Sequence, residues 1–445
     1  MSYLTFLILI FNLKCSFSKF LIKLNAKRKD FVPFTNETFI EYFYSSSMTT
    51  NLCLGTPKQC LDFKINFDAC AFYAMSPQSK INGSTFDSQK SSTYKKESES
   101  PIIEYYDDQI YESLFSSETV HINDKSYDSF KFGYGLSTSF SISYYHHSAG
   151  IGLKISSLNN QHYRYGYTFI PQLKQKNIIE DYTFTYIIKN YDEAQLIIGD
   201  YPHNYDPNNY DLNKIHNTSV HIGSFSDSDR EPNNVQWQIK FTSIKLADID
   251  IGMNIRESLI SPTTELLGCN VEYKNYIFGY FSDYIHNKTC QLYKQQSSSK
   301  SILKCNNTNI NSDIVKNFPV LNFYSKEMNF TFTLNGNDLF IERDNDIYLL
   351  INFQENPIYW ILGKPFMKKY TFTFNSDKKQ VYYYEPSHKE SGKKFQFSWT
   401  ILVIILLIIL IIILIFIIYK IRIKRKMRAT ELEDEGFDYH PMNQS

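Results

Sequence analysis

The chain has 445 residues, with 46 Lys+Arg balanced by 46 Asp+Glu. That length exceeds one small domain and suits two lobes with appendages, and the even charge lacks the basic surface that nucleic-acid binding demands, so no nucleic-acid partner is expected. The 35 Tyr and 35 Phe favour half-buried pleated surfaces, which makes an all-β body the expectation.

In chain order, Tyr3 to Leu13 form a short apolar run followed by Ser16-Phe17-Ser18. That pattern predicts a secretory signal peptide over 1–18. Short alternating stretches follow, at Leu61 to Phe67, Tyr182 to Ile188, Ile239 to Ile244 and Phe330 to Leu334, separated by Asn, Asp, Ser and Gly clusters. Such spacing predicts a β-sandwich or barrel. Lys95 to Ser100, Ser224 to Asn234 and Gln295 to Ser301 are polar and predict surface loops. Asn-x-Ser/Thr sequons place glycosylation candidates at Asn36, Asn82, Asn217, Asn287, Asn306 and Asn329. Cys15 falls in the signal, leaving Cys53, Cys60, Cys70, Cys269, Cys290 and Cys305, whose pairing the sequence alone leaves open. Sequons and cysteines together point to an oxidising, glycosylating lumen. His146-His147 has no third ligand at metal spacing, so no metal and no cofactor are expected.

Beyond the body, 387–398 is expected to be a stalk. Thr400 to Tyr419 is uncharged and almost wholly Ile, Leu, Val and Phe, and about 20 such residues cross a bilayer as a helix. The predicted span is 399–419. Lys420, Arg422, Lys424, Arg425, Lys426 and Arg428 follow at once, which puts the 420–445 tail in the cytosol and the body in a lumen or outside the cell. The expectation is a single-pass type I membrane protein of the secretory or endolysosomal pathway or cell surface. Tyr439-His440-Pro441-Met442 has the Tyr-x-x-apolar form of an endocytic sorting signal.

Four blocks, in order, resemble the pepsin-type aspartic protease family. Leu54-Gly55-Thr56-Pro57-Lys58-Gln59, the strand Phe63 to Phe67 and Asp68 are similar to the family's Gly-Thr-Pro-x-Gln turn, apolar strand and catalytic Asp-Thr-Gly-Ser. Phe86-Asp87-Ser88-Gln89-Lys90-Ser91-Ser92-Thr93-Tyr94 resembles its Phe-Asp-x-x-x-Ser-Ser-Thr-Tyr segment. Ile103 to Asp108, then Glu118-Thr119-Val120, resembles the flap hairpin, with Tyr105 matching the Tyr that covers the cleft; Tyr106, Asp108 and Glu112 stand where flap glycines are usual. Gly150 to Leu153, Leu196 to Gly199 and Trp237-Gln238-Ile239 resemble landmarks that close one lobe and open the next, and Trp360 to Met367 resembles the carboxy-terminal Ile-Leu-Gly-x-x-Phe signature. The resemblance implies a bilobal all-β fold, with lobes over 44–200 and 201–386; the single C-terminal transmembrane helix expected from the apolar run lies beyond it. The stretch 19–43 reads either as a propeptide remnant or as a first strand of the body. Cys53 and Cys60 flank the Gly-Thr-Pro turn and can bridge it, while Cys269 and Cys305 bracket the family's usual second-lobe disulfide, leaving Cys290 for Cys70 or a partner.

In that family two carboxylates, one from each lobe, share a proton; two like charges about 3 Å apart cannot both ionise. One draws a proton from water and the other donates to the scissile carbonyl. Here the first loop reads Asp68-Ala69-Cys70-Ala71. The acid stands, but the supporting Thr, Gly and Ser are replaced. For Cys70 a disulfide or buried thiol is expected ahead of a reactive one, since no matched His or Asn is evident. For the second loop the best match is Asn254 to Pro262, in which Asn254 replaces the Asp and cannot exchange the shared proton. A second register, Ile249-Asp250-Ile251-Gly252, restores a carboxylate at Asp250. The leading expectation is a catalytically impaired monomer, anchored by one helix, that takes a peptide or protein into the interlobe cleft. The alternatives are an aspartic endopeptidase using Asp68 and Asp250 at acid pH, and a glycosylated scaffold.

Overall fold

The computed structural model describes residues 21–29, 47–79, 81, 83–106, 109–138, 147–155, 167–220, 236–251, 257–262, 264–270, 273–294, 301–306, 313–343, 345–354, 359–386 and 412–425. Met1–Ser387 form one compact unit and His388–Ser445 a second. The first is built of strands, as the Tyr, Phe and Ile content requires.

Its largest sheet has 14 strands. In chain order those that matter here are β1 (Ile22–Lys29), β2 (Ser47–Leu54), β3 (Gln59–Asn66), β4 (Phe72–Met75), β5 (Ile102–Tyr106), β6 (Gln109–Ile122), β7 (Lys125–Thr138), β8 (Ala149–Gly152), β9 (Thr183–Ile188) and β10 (Glu193–Ile198). The stretch 19–43 thus contributes a strand, β1, lying between β10 and β2. β2 and β3 form a hairpin in which Cys53 stands opposite Cys60, and the two are disulfide-bonded. Gly55 at its turn has φ +83, and a Cβ there would lie 2.7 Å from Ser91 Oγ, so only glycine fits.

The second half supplies β11 (Ser243–Leu246), β12 (Ile249–Asp250), β13 (Glu257–Ile260), β14 (Leu267–Asn270), β15 (Cys290–Lys294), β16 (Ser301–Asn306), β17 (Ile351–Gln354) and β18 (Trp360–Leu362). Most of these belong to a sheet of nine strands, whereas β11 and β12 lie in a sheet of four. The last strands, β19 (Phe372–Asn375) and β20 (Gln380–Pro386), return to the first sheet, where Asn375 pairs with Thr183. The halves therefore share a sheet and a core. Phe67 packs on Phe184, Tyr186 and Phe374 with ring centroids 5.9, 5.4 and 5.5 Å away. Edge-on aromatic contacts of this kind add to the burial energy of each ring.

One disulfide expectation is corrected. Cys290 and not Cys269 bonds Cys305. The β15–β16 hairpin sets Cys290 directly across from Cys305, while Cys269 faces Phe353 on the parallel neighbour β17 and is fully buried. Cys70 and Cys269 take part in neither of these disulfides, and burial pushes the Cys269 thiol pKa well up.

In the second unit a helix covers 412–425, with its apolar residues exposed. Among the described residues no helix is long and apolar enough to cross a membrane. The span's first part, 399–411, lies outside the described residues, as do the signal 1–18, Asn36, Asn82 and the Tyr439–Met442 tetrapeptide.

Candidate functional site

Each half repeats one strand pattern around a loop. In the first, β3 runs parallel to β8, pairing Lys64 with Gly150, Ile65 with Ile151 and Asn66 with Gly152. The chain then turns through Phe67 to Ala71 and comes back as β4, antiparallel to β8 with Tyr73 opposite Gly150. In the second, β13 runs parallel to β18, pairing Ser258 with Trp360, Leu259 with Ile361 and Ile260 with Leu362. The return strand β14 is antiparallel to β18, with Gly268 opposite Ile361.

The two glycines that follow these central strands fix the correspondence. A Cβ on Gly152 would lie 2.2 Å from Cys70 C and 2.5 Å from Ala69 O. One on Gly363 would lie 2.0 Å from Leu266 O and 2.7 Å from Thr264 O. Each loop rests on a bare glycine, so 69–71 corresponds to 264–266. Counting forward from β13 and backward from β14 then gives the same answer: the counterpart of Asp68 is Thr263, and the counterpart of Ala69 is Thr264. Thr263 itself lies outside the described residues.

This strand pairing differs from the alignments behind both sequence-based registers. Ser258, Leu259 and Ile260 form the strand entering the loop, not the one leaving it. Asp250 lies on β12, exposed and paired with Lys245 of β11, in a hairpin of another sheet. Asn254 lies outside the described residues, ahead of β13 and so ahead of the loop.

Asp68 is exposed, and its backbone N–H donates to the buried Asn66 side chain at 2.8 Å. Its carboxylate receives a hydrogen bond across the halves, from Ser261 Oγ to Oδ2 at 3.0 Å. Ser261 Oγ also meets Thr264 Oγ1 at 3.0 Å. With the Ser261 proton on Asp68, Thr264 is the donor in that contact. The second loop therefore meets Asp68 with the Ser261 hydroxyl, itself backed by Thr264. Among its described residues the only carboxylate is Glu265, which is buried and turned into an ion cluster. Lys364 Nζ bonds Glu265 Oε1, and Arg28 Nη1 lies 3.7 Å from Oε2. Burial pushes the Lys364 pKa down, against the pull of Glu265. Nothing in the linear sequence marked Ser261, Thr264 or this cluster.

The segment that resembles the flap forms the β5–β6 hairpin, in which Tyr105 pairs with Ile110. Trp237, of the landmark Trp-Gln-Ile, donates its indole N–H to Leu153 O at 2.7 Å and so ties the second half to the strand end below Asp68. His147 is buried against Ser47 Oγ at 2.9 Å. Asn217, Asn287, Asn306 and Asn329 are all exposed.

Residues 47–383 match the family described as eukaryotic aspartyl protease. No curated protein matches the chain.

Proposed function

We propose a function from one premise: this chain belongs to the eukaryotic aspartyl protease family. It is a member that binds a peptide or protein segment in its cleft and does not cleave it efficiently. The observation that carries this reading is the strand register, which gives Thr263 as the counterpart of Asp68. The family's reaction needs one carboxyl to hold the proton that the other lacks. A threonine hydroxyl neither stores nor releases a proton in the accessible pH range, and Ser261 occupies one lone-pair direction of Asp68. The water that both acids would activate loses its second partner. Removing one member of such a catalytic unit lowers the rate by about 10⁴-fold or more. The cleft walls and the flap hairpin do not depend on that chemistry, so extended peptide can still be held by backbone hydrogen bonds.

The body is lumenal or extracellular, and the 399–419 run anchors it to a membrane ahead of the basic tail. The four exposed sequon asparagines suit that side. The test of the binding reading uses the purified body at acid and neutral pH with a mixed peptide digest. Bound peptides are recovered and their masses measured. Intact peptides that are retained, and that blocking of the flap hairpin displaces, support the reading. Retention of none at either pH sinks it.

A further inference from the structure

We infer that β1 is a permanent part of the folded body and that its Arg28, together with Glu265 and Lys364, positions the 261–266 loop against Asp68. This rests on reading that cleft as the binding site.

β1 is not an appendage. Six of its residues, Ile22 to Lys27, pair with β10, and four, Ala26 to Lys29, pair with β2. Ile22, Leu24 and Ala26 are buried at 4, 3 and 1 % exposure, while Lys23, Asn25 and Lys27 face outward. A strand has a period of two, so Arg28 falls on the inward face. Its side chain is 3 % exposed, and that of Glu265 is 1 % exposed. An inward guanidinium is tolerated only with a partner, and Glu265 is one.

Glu265 accepts from Lys364, the residue after Gly363, and Lys364 also reaches Tyr191 O at 3.4 Å. The charged groups that bear on Lys364 are Glu265, Arg28 and Asp192. Glu265 directly follows Thr264, whose hydroxyl meets Ser261, which in turn donates to Asp68. Contact thus runs from β1 to the loop that meets Asp68. The counterpart of Glu265 in the first loop is the uncharged Cys70, so the tether belongs to the second loop alone. Taking one ion out of a buried cluster leaves another uncompensated, and the loop is then freed to open locally.

The two cysteines outside the disulfides make this testable without any ligand, so failure here is separate from failure of the peptide-binding reading. Cys70 is half-buried in the Asp68 loop and Cys269 is buried in the second half's core. Iodoacetamide labelling of Cys70 reports loop seating, and labelling of Cys269 reports global unfolding. Arg28→Met and Glu265→Gln are expected to raise the Cys70 rate roughly 10-fold or more with Cys269 still protected. The triple variant Arg28→Met/Glu265→Leu/Lys364→Met leaves no buried charge in the cluster, and so remains folded even where the single variants do not. It lacks the directional Lys364–Glu265 bond that seats the loop, so it too must show fast Cys70 and protected Cys269. A wild-type Cys70 rate in the triple variant overturns the inference. In the second arm, the full chain carries a site-specific protease site between positions 30 and 46. After cleavage, β1 stays with the body on gel filtration, and the Glu265→Gln substitution releases it. Loss of β1 from the cut chain that keeps Glu265 overturns the inference as well.

Discussion

A hydroxyl and a carboxyl differ in what they can do for Asp68. Ser261 gives it a hydrogen bond, but only a second acid can hold the proton that the hydrolysis returns to the substrate. Thr263→Asp is therefore the informative substitution at this scale. It puts a carboxyl at the position of the second loop that corresponds to Asp68 in the first, and combined with Ala69→Thr and Cys70→Gly it is expected to raise peptide hydrolysis above background, measured with a quenched peptide at acid pH. Asn254→Asp, which lies before β13, is expected to raise nothing. The bare glycines under the loops give a stability test. Gly152→Ala forces a Cβ to 2.2 Å from backbone, and Gly363→Ala to 2.0 Å. Each is expected to lower unfolding free energy by at least about 2 kcal/mol in urea. Gly279→Ala, with nothing within 4 Å, should stay within about 0.5 kcal/mol.

At the scale of elements, the hairpins decide the covalent map. Cys53–Cys60 and Cys290–Cys305 each join residues opposite one another on paired strands. Mass mapping after alkylation in denaturant should find those two bridges and two labelled thiols, Cys70 and Cys269. Replacing Cys290 and Cys305 by Ala should remove about 2–4 kcal/mol of stability. The first hairpin was legible because its cysteines flank a Gly-Thr-Pro turn within a few residues. The second was not, because Cys269, Cys290 and Cys305 are separated by elements whose pairing is long-range. The second cleft loop failed for the same kind of reason. Ser258-Leu259-Ile260 looks alike whether it enters or leaves a loop, and only the parallel pairing with Trp360–Leu362 says that it enters. Asp68 was legible because its strand, its turn and the downstream Phe86 to Tyr94 segment stand together in sequence. Arg28 could be seen as part of a strand but not as inward-facing, since that depends on which neighbour β1 finds.

Across the whole molecule, an all-β body of aromatic-rich strands has a signature in alkali. Burial raises the phenol pKa of Tyr186, Tyr191, Tyr205, Tyr383 and Tyr384 well above the ordinary value. A group whose folded pKa is raised favours the fold fully below its unfolded pKa, here about 10, and that contribution is lost as pH rises beyond it. Ultraviolet titration should therefore show exposed tyrosines ionising near the ordinary pH. The buried set should ionise only in a later, cooperative step that coincides with loss of the β circular-dichroism signal. A single broad titration without unfolding would contradict the packing around β9 and β20. The shared sheet also explains why the halves form one compact unit: β19 and β20, from the end of the body, pair into the first sheet beside β9. Site geometry is thus a property of the complete body, which is the form every assay must use.

The measurement that bears most directly on the proposal of a single-acid cleft is peptide-bond hydrolysis by the purified body at acid pH, with pepstatin and Asp68→Ala as controls. The account predicts no turnover that either control abolishes. Turnover that pepstatin blocks and Asp68→Ala eliminates would mean that a second acid serves the cleft, and would contradict it.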